Sequence, residues 1–124
     1  MNLGHYFEIP ATDLPRAVQF YASVFHVTFL MTKLEDNEMA LFPLEEGQPG
    51  ITGALVKGPT YTPSKSGSLI YLKSDSIDET LTKVIAHHGH VLFPKTAVET
   101  YGFVAEFEDS EGNRVGLFEQ SVSS

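Results

Sequence analysis

Glu8 is the residue of this chain best placed to do chemistry. It lies in the alternating stretch HYFEIPA (residues 5–11), where Phe7, Ile9 and Ala11 interleave with Tyr6, Glu8 and Pro10. Alternation of this kind reads as a strand with an apolar face, so Phe7 and Ile9 point one way and Glu8 the other. An apolar cavity favours the uncharged form of a carboxylate and would suit Glu8 to general-base work. The plainer alternative is a structural glutamate, paired with an arginine or hydrogen-bonded across a module interface. A second group, His87, His88 and His90, has the look of a metal cluster. Adjacent helical residues point in different directions, however, and a helix C-terminus favours cations through its dipole. The chain has no cysteine, which excludes disulfides and thiolate metal sites. It also lacks the Gly-x-Ser-x-Gly, P-loop, dinucleotide and His-Glu-x-x-His motifs.

The elements that must position these residues come in two similar sets. After the first strand, Asp13 is placed to cap a helix with Pro15 in its first turn, and Leu14, Ala17, Val18, Tyr21 and Val24/Phe25 follow helical spacing. In the second half, LIYLKS (69–74) reads as a strand. Ser76 and Glu79 form a capping box, Ile77, Leu81, Val84 and Ile85 form the helical stripe, and Gly89 is placed to end the helix. A shift of 63 residues overlays Ile9 on Leu72, Leu14 on Ile77, Val18 on Leu81 and Gly53 on Gly116. Three further strands are expected after each helix, near 27–34, 38–44 and 51–57 and near 90–96, 102–108 and 113–120. Each half is therefore βαβββ. The expected fold class is α+β: two tandem βαβββ modules forming an incomplete eight-stranded barrel with the helices outside. One domain spans residues 1–124, with modules at 1–58 and 68–120, a Gly/Pro/Ser-rich linker at 59–67 and a frayed tail at 121–124.

Charge and hydropathy narrow the function classes. The formal net charge is −8, with only eight scattered Lys and Arg, which argues against nucleic-acid binding because such binding needs clustered cations. No apolar run approaches the roughly 18 residues of a membrane span, and the N-terminus lacks the pattern of a secretory signal. A cytoplasmic protein without a nucleic-acid or membrane partner is expected.

Paired βαβββ modules, together with FEIPATDLPRAVQFYASVF, GALVKGPTYTPSKSGSLIYLKSDSIDE and YGFVAEFEDSEGNRVGLFE, resemble the vicinal oxygen chelate superfamily of glyoxalase, bleomycin-resistance and extradiol-dioxygenase proteins. The resemblance covers nearly the whole chain and implies a fold more than a reaction. It also implies a homodimer. Enzymes of that superfamily hold a divalent cation through His, Glu or Gln near the start of each module's first strand and on its last strand. Those positions map to Tyr6, Leu69, Gly53 and Gly116 here. Leucine and glycine offer no donor atoms, so no metal and no other cofactor is expected.

The expected cavity is lined by Tyr6, Glu8, Ile51, Gly53, Leu55, Leu69, Tyr71, Arg114, Gly116 and Phe118, with Tyr61 and Tyr101 as candidate lids. Its tyrosines would suit a planar or amphipathic ligand, or else simply fill the barrel. Arg114 could bind an anionic group, neutralise Glu8, or be an ordinary solvated arginine. Three functions stay open. One is a metal-free binder of a small aromatic or amphipathic molecule. Another is a glyoxalase-like lyase, isomerase or dioxygenase, metal-dependent or using Glu8 as base. The third is a dimeric interaction module with a filled cavity.

Overall fold

The computed structural model describes residues 1–121, which form two helices and eight strands; residues 122–124 of the expected frayed tail lie outside the described residues. The chain divides into two compact units, Met1–Pro63 and Ser64–Ser124, the boundary falling inside the expected linker. The first contains β1 (Tyr6–Pro10), α1 (Leu14–Phe25), β2 (Leu30–Leu34), β3 (Asn37–Leu41) and β4 (Thr52–Lys57). The second contains β5 (Tyr71–Lys73), α2 (Ile77–Ala86), β6 (His90–Val98), β7 (Gly102–Glu108) and β8 (Arg114–Gln120). Each unit thus carries the βαβββ order that its sequence period dictates. Each has its own four-stranded sheet, ordered β1-β4-β3-β2 and β5-β8-β7-β6, so no closed barrel forms.

In both sheets the first strand runs parallel to the last, and the remaining neighbours are antiparallel. A parallel neighbour needs a long crossover, which α1, β2 and β3 supply in the first unit and α2, β6 and β7 supply in the second. Asp13 caps α1 by accepting from the Arg16 backbone N–H at 3.1 Å, and Ser76 caps α2 by accepting from that of Glu79 at 3.2 Å. At such positions side-chain acceptors satisfy backbone donors that the helix leaves open.

Both helices close on a left-handed histidine, although Gly89 was expected to end the second. α1 stops on His26 in the left-handed region, φ 55°. In α2 the left-handed residue is His88, φ 74°, rather than Gly89. Gly89 instead donates its backbone N–H to the Val84 carbonyl at 2.8 Å, the longer bond of a Schellman closure.

Apolar burial on α1 follows one stripe: Leu14, Ala17, Phe20, Tyr21 and Val24 are buried. Tyr21 meets Phe42 edge-on at 5.8 Å between ring centroids, and Phe7 lies 5.5 Å from Phe42. This aromatic cluster fixes which side of the first sheet faces the helix. In α2, Ile77 and Val84 are buried, but Ile85 is 61% exposed, contrary to its expected place in the stripe. One residue beyond Val84, it is turned about 100° around the helix axis and falls off the covered side.

The turn between β7 and β8 is a buried polar structure. Asp109 and Asn113 are 3% and 5% exposed. Asp109 Oδ1 accepts from the backbone N–H groups of Glu111 and Asn113, and Oδ2 from the Asn113 side-chain amide, each at 2.9 Å. Asn113 Oδ1 in turn accepts from the Ser64 backbone N–H at 3.2 Å, which ties the start of this unit to its last hairpin.

Candidate functional site

Strand pairing decides which residues share the face opposite each helix, since side chains alternate along a strand and paired residues point the same way. In the first unit Glu8 pairs with Ala54 and Pro10 with Val56. Met39 pairs with Val56 and Leu41 with Ala54. Met39, Ala54 and Val56 are buried together, with Leu41 and Tyr61 packed against them. The result is an apolar floor on the side away from α1, with the Glu8 carboxylate beside it.

Two phenols hold that carboxylate. Tyr6 donates its hydroxyl to Glu8 Oε2 at 2.9 Å, and Tyr61 donates to Oε1 at 2.6 Å. Tyr61 comes from the segment after β4, 53 residues away in sequence. It was expected as a lid; its hydroxyl instead joins Glu8 in one cluster. The hydroxyl of Tyr6 is pushed up to about 12 from an ordinary 10. Loss of water around it comes first among the causes, followed by the hydrogen bond to Glu8 and repulsion from the Glu8 charge. Tyr61 is raised as well, chiefly by its hydrogen bond to Glu8. Because 47% of the surface of Tyr6 is exposed, the two Glu8 effects are the ones a substitution can test.

A titration follows from this. The unfolded chain releases its tyrosine protons near pH 10, while folded Tyr6 holds its proton to about 12. Between those values the folded state binds more protons, so the stabilisation is complete below the ordinary value and is lost as pH climbs through the raised one. Glu8→Gln should bring the ionisation of Tyr6 and Tyr61 back toward the ordinary value, seen as tyrosinate ultraviolet absorbance developing at lower pH than in the parent protein. Unchanged titration would show that Glu8 does not hold these hydroxyls.

The register corrects part of the expected lining. Phe7 pairs with Gly53 and Ile9 with Leu55, so Gly53 and Leu55 belong to the helix-covered face rather than to that of Glu8. A Cβ at Gly53 would meet the Phe7 carbonyl oxygen and stand 2.6 Å from its ring. Ile51 precedes β4 and is half exposed. The residues of β4 on the Glu8 side are Thr52, Ala54 and Val56, which the sequence reasoning missed. Their alternation was visible, but the 63-residue overlay favoured the two glycines.

In the second unit Gly116 pairs with Tyr71, and Phe118 with Lys73. Gly116 is therefore on the face of Tyr71, one step out of phase with Gly53 in its own sheet. The Tyr71 ring lies across Gly116: a Cβ there would stand 2.6 Å from a ring carbon. Glu106 pairs with Gly116 as well, and its Oε1 accepts from Arg114 Nε at 2.6 Å. This bond, with the charge of Glu106, raises the Arg114 guanidinium above its ordinary value and keeps it protonated. Glu106 is a further residue that the sequence did not single out. Leu69 is partly buried just ahead of β5. Tyr101 is 67% exposed in the turn before β7. His87, His88 and His90 form no converging set; among the described residues no three His, Asp or Glu side chains are grouped to hold a metal ion. No helix among them is long and apolar enough to cross a membrane.

Comparison with known proteins gives a consistent picture. The sequence model of the Glyoxalase/Bleomycin resistance protein/Dioxygenase superfamily matches residues 2–117. No curated protein sequence matches the chain. Among solved structures, the chain is similar to a glyoxalase I mutant from Zea mays, with 13% identity, a TM-score of 0.68 and 93% of this chain covered. The chain spans 45% of that longer maize protein. It is similar over nearly full length to TnmS3, an antibiotic binding protein from Streptomyces sp. CB03234, with 24% identity, a TM-score of 0.71 and coverage of 98% and 99% of the two chains. A third similar structure is the fosfomycin resistance protein FosX from Listeria monocytogenes, with 16% identity, a TM-score of 0.67 and coverage of 100% and 94%. At these identities the likeness is one of fold.

Proposed function

The chain belongs to the glyoxalase/bleomycin resistance protein/dioxygenase superfamily, and from that premise we propose that it binds a small aromatic or amphipathic molecule without a metal. One observation carries the proposal: a carboxylate held by two phenols beside an apolar floor. Ligand sites combine apolar lining with a few placed polar groups. An ionised carboxylate has about four acceptor positions, so the two tyrosine bonds leave room for a donor on the ligand. The Streptomyces neighbour, an antibiotic binding protein, favours this function over the others that the superfamily contains.

The donor set supports the metal-free part. Leu69 is a hydrocarbon and Gly116 has no side chain, and the space a ligating side chain would take at Gly116 is filled by the Tyr71 ring. In the first unit Gly53 likewise has no side chain, and the hydroxyl of Tyr6 is already bonded to Glu8. These residues do not fit a divalent cation, and no step of the proposed function runs through one.

Thermal-shift and calorimetric titration of untagged protein against a panel of planar aromatic compounds tests the proposal. Compounds bearing a hydrogen-bond donor should bind. Glu8→Gln should weaken them by about tenfold or more, the usual worth of a hydrogen bond to a charged group. Panel-wide silence, equal binding to Glu8→Gln, or a stoichiometric divalent ion in the purified protein would each defeat it.

The short bond from Tyr61 to Glu8 also favours a second reading, a metal-free acid–base catalyst with Glu8 as the base. Loss of turnover in Glu8→Gln with ligand affinity retained would select it. The homodimer remains part of the proposal: the edge strand β2 exposes Leu30, Met31 and Leu34, apolar side chains that a second copy could cover. A cytoplasmic setting, without nucleic acid, completes it.

A further inference from the structure

The second unit carries two polar groups that the site around Glu8 does not use. Arg114 donates through Nε to Glu106, and among the described residues its two terminal nitrogens have no hydrogen-bond partner. Tyr71, 48% exposed, likewise has no partner for its hydroxyl among the described residues. Both residues point to the side away from α2: Tyr71 pairs with Gly116, and Arg114 is two residues before Gly116 on the same strand. Each is supported on one side. The ring of Tyr71 rests on the bare backbone of Gly116, leaving its other side open. The guanidinium is anchored by a 2.6 Å bond to Glu106, which fixes the fork while using only one corner of it.

From this juxtaposition we propose that the face of the second unit opposite α2 binds a planar aromatic carboxylate, its ring stacked on Tyr71 and its carboxylate on the outer edge of Arg114. Guanidinium and carboxylate match as two parallel N–H to O bonds. A guanidinium already held by a glutamate loses less freedom when it takes a ligand than a loose one does. The glycine sets the level of the platform, because any side chain at position 116 would displace the ring. Glu106 sharpens the choice of ligand: it neutralises one side of Arg114 and would repel an anion that approached there, leaving the terminal nitrogens as the route in.

The inference rests on the small-molecule binding role proposed above and adds the ligand's charge. Its test uses matched pairs, benzoate with benzamide and 2-naphthoate with 2-naphthamide, titrated by calorimetry and by amide chemical shifts in labelled protein. Each acid should bind at least about tenfold more tightly than its amide, with the largest shifts at Tyr71, Arg114 and Gly116. Arg114→Gln should abolish the preference. Arg114→Lys, which keeps a charge opposite Glu106 but lacks the fork, should retain only a few-fold preference and serves if the glutamine variant does not fold. Tyr71→Leu should weaken acid and amide alike and leave their ratio unchanged. Amides that bind as well as acids would overturn the inference while leaving the broader binding role standing. An acid preference that survives in both arginine variants would overturn it too. If no aromatic compound of either charge binds, both fall.

Discussion

Gly53→Ala is expected to lower the melting temperature by on the order of 10 °C, the consequence of roughly 3 kcal/mol of overpacking in a domain of this size. The added methyl would run into the Phe7 carbonyl oxygen of the neighbouring strand and its ring. The ring is packed against Phe42 and the carbonyl is backbone, so neither can step aside without opening the parallel pair of β1 and β4. The same change at Gly116 supplies the control. There the obstacle is only the Tyr71 ring, which is half exposed and free to swing outward, and alanine suits a strand better than glycine. Gly116→Ala should stay within about 1 kcal/mol of the parent. Thermal and denaturant unfolding of the two variants side by side checks this. Equal effects would mean that the two glycines occupy equivalent places after all.

Asp109→Ala is the other substitution with a large expected effect. It strips the acceptor from two backbone N–H groups and from the Asn113 amide, in a turn where Asp109 and Asn113 are almost wholly buried. Leaving buried donors unmet costs about 1–3 kcal/mol each. A total near 3 kcal/mol is expected once water reaches the more exposed of them, a large share of the usual 5–15 kcal/mol stability. Asp109→Asn keeps the shape and one acceptor oxygen and should lose roughly half as much. Urea denaturation distinguishes the cases. A loss below about 1 kcal/mol for the alanine variant would show that the turn does not depend on this network.

These two variants also mark where the sequence was legible. The repeat, both helix caps and all eight strands follow from local rules of period and capping, and each such rule leaves its mark within a few residues. Pairing register does not. Gly53 and Gly116 are equivalent along the chain, yet they lie on different faces of their sheets. Ala54 pairs with Glu8, whereas Leu117, its counterpart along the chain, pairs with Leu72, the counterpart of Ile9, so the last strands enter their sheets one step apart. The candidate site shows the same division. Glu8 and Tyr6 were legible because they alternate with Phe7 and Ile9. The hydroxyl that completes the cluster arrives from Tyr61 in a Gly- and Pro-rich stretch, where nothing local announces a long-range contact. Arg114 was legible as a charged residue, but its anchor, Glu106, is set by the β7–β8 pairing.

The strand order has a consequence for biosynthesis. In the sheet β5-β8-β7-β6 the strand made last sits between two made earlier. Until it emerges from the ribosome, β5 has no neighbour to bond with, and β7 is bare along one side. The amino-terminal half can close while translation continues, once β4 has appeared. The carboxy-terminal half must wait with open strand edges, the condition in which nascent chains most readily join the wrong partner.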